Sequence, residues 1–394
     1  MGRPDTSQAR TAILVLGMHR SGTSALTRLL GYLGAALPAD AIDAHADNER
    51  GYWESAAIVK ADDQLLRVAR SSWFDPRPLD LSRLEPSALR SRKDRIWEAV
   101  TAAFGNAPLI AIKDPRQCRF VPTMVETLAE HGVASRVVLM LRSPQALARS
   151  LASRDGTIPA FAHLLWLRHM IEAERASRGL MRAVIGFDAM LSDWRDAARR
   201  LLPLTGGAMP EGEAAAAIGG FLDPALRHHR DGAGALLEQP LAGIVEAVRT
   251  GLEALLDRDD AETRAALDAA YARLEAAPWL ADDIIHDELR HRRVGSSGAV
   301  VAPEPQPMPT MPPPSMPAPS PPHAEAVAMI RDSGLFDEAW YLATYPDAAA
   351  SGLDPVEHYL TAGAARGYNP NPLFDTGFYA RQMARRLAAG GGGR

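Results

Sequence analysis

Residues 14–34 read "LVLGMHRSGTSALTRLLGYLG". A run of apolar residues ends in Gly17, a short polar stretch follows, and apolar residues then recur at helical spacing. A strand, a tight loop and a helix in this order restrict the fold more than any other part of the chain. The loop has the form G-x-x-x-x-G-T-S, with glycines at 17 and 22 followed by Thr23 and Ser24. In such a loop, backbone N–H groups and the N-terminus of the next helix cradle a phosphate-like anion. Gly17 and Gly22 allow an approach that a side chain would block. A lysine after the second glycine would reach the β- and γ-phosphates of a nucleoside triphosphate. Thr23 stands there instead, and the nearest cation is Arg20, inside the loop. The competing reading is a turn that merely joins strand to helix. Two glycines at this spacing together with Arg20, Thr23 and Ser24 argue against it.

Further apolar runs, "PLIAIK", "SRVVLMLR" and "RAVIGF", alternate with helical patterns up to about Arg293. Strands separated by helices predict an α/β fold with a parallel sheet flanked by helices. The runs around Ile110 and Val137 are apolar almost throughout, as in strands covered on both faces. "FAHLLWLRHMIEAERASRG" reads as an amphipathic helix with Trp166 in the core. His228 and His229 read as the solvated basic end of a helix.

Composition then shifts. Between Pro303 and Pro322, 11 of 20 residues are proline, which predicts an extended linker. Beyond it, "LFDEAWY" at Leu335 recurs as "LFDTGFY" at Leu373, an internal repeat whose second copy is cut short. Each copy carries an aspartate placed to cap a helix. The expected organisation is a main domain over 11–293, a proline-rich linker over 294–323, a small helical repeat domain over 324–384 and a disordered tail over 385–394.

The net charge of −5 gives no basis for bulk binding of nucleic acid. The single cysteine, Cys118, rules out an intrachain disulfide and points to a reducing, cytoplasmic location; it reads as a small buried residue. The first ten residues lack the apolar core of a secretory leader, and no apolar run approaches the roughly 20 residues of a membrane span. The eleven histidines are scattered, so no metal site is expected.

A second anion site follows the third strand. Arg142 ends "SRVVLMLR", Ser143 and Pro144 open a helix with proline near N1, and Ser150 lies less than two turns into it. A guanidinium and a hydroxyl held together make a clamp for a phosphate monoester.

Taken together, "RSGTS", "NERGYWES", "IKDPRQC", "SLASRDG", "FLDPALRHHR" and the Arg142…Ser150 pair resemble the bacterial PAPS-dependent sulfotransferases over about residues 11–230. The resemblance implies a P-loop NTPase-like sulfotransferase fold. It also implies 3′-phosphoadenylyl sulfate (PAPS) as co-substrate, with no metal. Arg20, Ser21, Gly22, Thr23 and Ser24 would take the 5′-phosphosulfate end, and Arg142 and Ser150 the 3′-phosphate. A sulfuryl group at the 5′ end fits the loss of the loop lysine.

Sulfuryl transfer needs charge stabilised on the leaving phosphate, a base for the acceptor proton, and exclusion of water. Lys113 ends "LIAIK" and, by resemblance, faces the bridging oxygen. Glu54 follows Tyr52 and Trp53 and is the expected base, with His45, Glu49 and Asp114 in reserve. The cytosolic branch of the family uses a histidine just after the strand lysine, where this chain has Asp114.

The C-terminal repeat resembles those appended to glycosyltransferases of surface-polysaccharide assembly. That points to a carbohydrate acceptor and to protein partners in glycan assembly. Two other readings stand beside this one. A P-loop kinase would use Asp114 as its metal-binding acid. A non-catalytic scaffold would carry its function in the repeat.

Overall fold

A computed structural model describes residues 10–43, 51–222, 237–297, 326–328, 330–331, 336–371 and 376. The proline-rich segment, His45, Glu49, His228, His229 and nearly all of the second repeat copy lie outside the described residues. The chain divides into two compact units, Met1–Arg292 and Arg293–Arg394.

The first unit is built on four parallel strands, β1 (Thr11–Leu16), β2 (Leu109–Lys113), β3 (Ala134–Leu141) and β4 (Arg182–Gly186), in the order β2-β1-β3-β4. All four apolar runs of the sequence are strands. Thr11 pairs with Leu109 on one side and with Ala134 on the other, and Val137 pairs with Arg182. Successive side chains of a strand point to opposite faces, and the core divides accordingly. Ala12, Leu14, Leu16, Ile110, Ile112 and Leu139 face one helical layer, while Ile13, Val15, Ala111, Val138 and Met140 face the other.

The helices follow in chain order. α1 (Thr23–Tyr32) follows β1, and α2 (Ala56–Val68) and α3 (Pro86–Phe104) precede β2. α4 (Val121–Glu130) links β2 to β3, and α5 (Pro144–Asp155) and α6 (Pro159–Ser177) link β3 to β4. Then come α7 (Phe187–Ser192), α8 (Trp194–Thr205), α9 (Gly212–Phe221), α10 (Leu241–Ala254), α11 (Ala261–Glu275) and α12 (Pro278–Ser297). α1, α8 and α9 cover one face; α3, α4, α6 and α10 cover the other. α6 departs from the expected amphipathic pattern. Both Trp166 on one side and the polar His163, His169 and Glu174 are buried. It lies against α4, α5, α10 and the 3₁₀ turn Pro115–Arg119. Its polar residues find partners inside the protein: Nδ1 of His163 and of His169 bonds a backbone carbonyl, while their Nε2 atoms have no hydrogen-bond partner, and Glu174 pairs with Arg178 and Arg182.

Strand order places β1 and β3 side by side at the point where the connections change direction. In open α/β sheets, ligands bind beyond the carboxyl ends of the strands at that point. The glycine loop leaves β1 there, and Arg142 leaves β3.

The second unit is helical where it is described, with short helices Glu338–Thr344, Pro346–Ala350 and Pro355–His358. Asp337 caps the first of them, accepting from the Trp340 N–H. Its core is aromatic: Tyr341 is fully buried, Phe336, Tyr359 and Tyr368 pack on it, and Tyr345 stacks on Tyr368 at 4.0 Å. Among the described residues no helix is long and apolar enough to cross a membrane.

Candidate functional site

The glycine loop is tied down at both ends. The Gly17 N–H donates to Cys118 Sγ at 3.2 Å, and a Cβ on Gly17 would press on the Met140 carbonyl of β3 at 3.1 Å. The Ser21 N–H and hydroxyl both donate to the Met18 carbonyl, at 3.1 and 2.6 Å. Gly22 has a φ of 91°, and a Cβ there would overlap the Phe187 ring. α1 starts at Thr23 with no side-chain cap and no acid in its first turn. Such a helix start presents the positive end of its dipole to an anion. Cys118 is buried, and burial pushes its thiol up to about 12. It is therefore a packing residue that anchors the loop.

Arg20, Arg142 and Ser150 meet. Arg142 Nη1 donates to the Arg20 carbonyl at 2.6 Å, and Arg20 Nε donates to Ser150 Oγ at 2.9 Å. Ser143 caps α5, accepting from the Ala146 N–H at 3.3 Å, with Pro144 in the first turn. Arg20 itself sits at a φ of 70°, a conformation costly for a residue with a side chain. That turn carries its guanidinium across to the Ser150 side, so the two motifs form one continuous basic patch.

Glu54 and Lys113 form a buried ion pair; the two residues are 7% and 4% exposed. Trp53, directly before Glu54, has a φ of 57°. A bulky residue in that region marks strain held by its surroundings. Its ring lies under the Arg28 guanidinium at 4.8 Å, and the neighbouring Tyr52 carbonyl accepts from Ser24 Oγ at 3.2 Å. "GYWES" is thereby fastened to α1, and Glu54 is turned inward to Lys113 at the end of β2. Thr23 is buried, with its methyl beside Gly17.

Asp114 is fully buried, caps the 3₁₀ turn by accepting from the Arg116 N–H at 3.0 Å, and holds Arg116 Nη1 at 3.0 Å. It faces Asp62 of α2, also fully buried, which accepts from Gln117 Nε2 at 3.0 Å. Burial first, and the charge of Asp114 second, hold Asp62 well above the usual carboxylate range.

His19 was not singled out by its sequence position. Its ring packs on Trp73 at a centroid distance of 4.4 Å, and Nε2 is sealed from solvent with no hydrogen-bond partner. Burial, then the charges of Arg116 and Arg154, hold it well below the usual histidine range, so it is neutral. Trp73 belongs to a loop that Arg119 grips from within, donating to the Asp75 and Arg77 carbonyls at 2.6 Å each. The only signals for this wall in the sequence are the loop histidine and "SSWFDP", neither distinctive alone. Among the described residues no three His, Cys, Asp or Glu side chains gather as metal ligands would.

No protein-family model matches the chain. No curated protein matches it. The sulfotransferase domain from the Synechococcus PCC 7002 olefin synthase is similar over 62% of this chain and 97% of its own, at 15% identity and a TM-score of 0.37. The sulfotransferase domain from the curacin biosynthetic pathway is similar over 67% of this chain and 98% of its own, at 13% identity and a TM-score of 0.33.

Proposed function

We propose that the chain is a sulfotransferase that moves a sulfuryl group from 3′-phosphoadenylyl sulfate to an acceptor hydroxyl. The observation that carries this reading is the meeting of the glycine loop with Arg142 and Ser150 through Arg20. Two joined anion sites at adjacent strand ends suit a nucleotide with phosphate at both its 5′ and 3′ positions. Arg20 and the first amides of α1 would hold the 5′ end; Arg142 and Ser150 would hold the 3′-phosphate.

In the transfer, an acceptor oxygen forms a bond to sulfur as the bond from sulfur to the bridging phosphate oxygen breaks. Adenosine 3′,5′-bisphosphate leaves, and the acceptor proton goes to a base. In this reading Lys113 takes the charge on the leaving oxygen, and Glu54 acts as the base. Their ion pair fits both roles. An anionic donor gives Lys113 a new partner and releases Glu54 to accept a proton. The likeness of the C-terminal repeat to those of glycan-assembly enzymes favours a carbohydrate acceptor, with the reaction in the cytoplasm.

A kinase reading requires a free acid at a strand end to hold magnesium. Asp114 is committed to Arg116 and Asp62, which disfavours it. Calorimetry separates the readings. The sulfotransferase binds adenosine 3′,5′-bisphosphate without magnesium, a kinase binds Mg-ATP in preference, and a scaffold binds neither. Transfer of labelled sulfate from PAPS to cell-envelope glycans would then identify the acceptor.

A further inference from the structure

Phe187 opens α7 directly after β4 and is 5% exposed. It touches both anion motifs. On one side it fills the space beside Gly22 where a Cβ would stand. On another it lies under Arg142, whose guanidinium carbon is 4.6 Å from the ring centroid. Arg142 in turn donates to the Arg20 carbonyl, and Arg20 to Ser150. The contacts close a circuit from the glycine loop through Phe187, Arg142 and Arg20 to Ser150.

Apolar packing alone would be met by any large side chain. A guanidinium over an aromatic face is also held by the quadrupole of the ring, which limits the orientations open to Arg142. The face of an aromatic ring accepts this contact without consuming the guanidinium's in-plane N–H donors, so they remain directed at oxygen acceptors.

Resting on the sulfotransferase reading, we infer that Phe187 is the positioning residue of the 3′-anion site: its ring face orients Arg142, and its edge locks the glycine loop, so that the two anion sites act as one. Selectivity for a nucleotide carrying both anions therefore depends on the electron density of this ring as well as on its volume.

The test compares binding of adenosine 3′,5′-bisphosphate and of AMP to the full chain, in wild type, Phe187→Leu, Phe187→Tyr and a series of fluorinated phenylalanines at position 187. Fluorination keeps the shape and folding of the site while weakening the ring face, so the inference stays testable if Phe187→Leu fails to fold. The preference for the bisphosphate should fall stepwise along the fluorinated series, by about tenfold at full fluorination. Phe187→Tyr should keep it, and AMP affinity should change little. A clear wild-type preference that fluorination leaves unchanged, or equal losses for both nucleotides, overturns the role of Phe187 and leaves the sulfotransferase reading standing. Absence of any preference in the wild type overturns both.

Discussion

Arg20 donates from Nε to Ser150 while its carbonyl accepts from Arg142, so one left-handed residue ties two distant stretches of chain. Arg142→Ala should weaken binding of the bisphosphate by about 2–3 kcal/mol, the scale of a lost charge-assisted contact. AMP binding should scarcely change; equal losses in calorimetry would detach Arg142 from the 3′-phosphate. The Lys113–Glu54 pair makes a different demand. Removing either partner strands a buried charge, at about 3–5 kcal/mol of stability. Lys113→Met and Glu54→Gln should each lower the urea midpoint, and the double variant should lie above either single. Glu54→Gln should also reduce turnover by about 10²–10⁴, the contribution of a positioned base. Lys113→Met should lower kcat more than donor affinity, because charge grows on the leaving oxygen only during transfer. Additive stability losses would remove the energetic coupling, and normal turnover in Glu54→Gln would pass the base role to another residue.

At the scale of elements, the site depends on how loops are seated against strand ends. Gly22 and Gly34 both have positive φ, 91° and 96°, but a Cβ on Gly34 would meet nothing within 4 Å. Gly34→Ala should therefore cost only the conformational strain, about 1–2 kcal/mol. Gly22→Ala adds a clash with Phe187 and should cost about 2–5 kcal/mol together with nucleotide binding. Comparable melting temperatures for the two variants would show that the loop yields where packing says it cannot. The seam between α2 and the turn after β2 buries Asp62 beside Asp114. Asp62 titrates higher folded than unfolded, so its contribution to stability is complete below about pH 4 and is lost as pH rises through the folded value. Asp62→Asn should flatten the decline in melting temperature as pH rises above about 4. An unaltered pH profile would mean that Asp62 is ionised throughout.

For the whole molecule, the division at Arg292 and Arg293 predicts that nucleotide binding belongs to the first unit alone. A chain ending at Gly298 should stay folded and bind the bisphosphate within about twofold of full length, since few contacts cross such a boundary. Aggregation, or a larger loss of affinity, would show that the repeat supports the site.

The four strands, the cap at Ser143 and the glycine loop were legible in the sequence because each rests on local causes: apolar runs, a side chain that caps a helix, a backbone angle that glycine permits. Glu54 and Lys113 were legible as candidates, but not as partners, because 59 residues separate them and only the fold brings β2 beside "GYWES". The second face of α6, read as exposed, is buried because α10 and the 3₁₀ turn cover it. Phe187 looked like the end of a strand, and His19 like one more loop residue. Periodicity and spacing specify which element a residue belongs to. Which ring lies under which guanidinium is decided where four strand ends converge, and no pattern along the chain encodes that meeting.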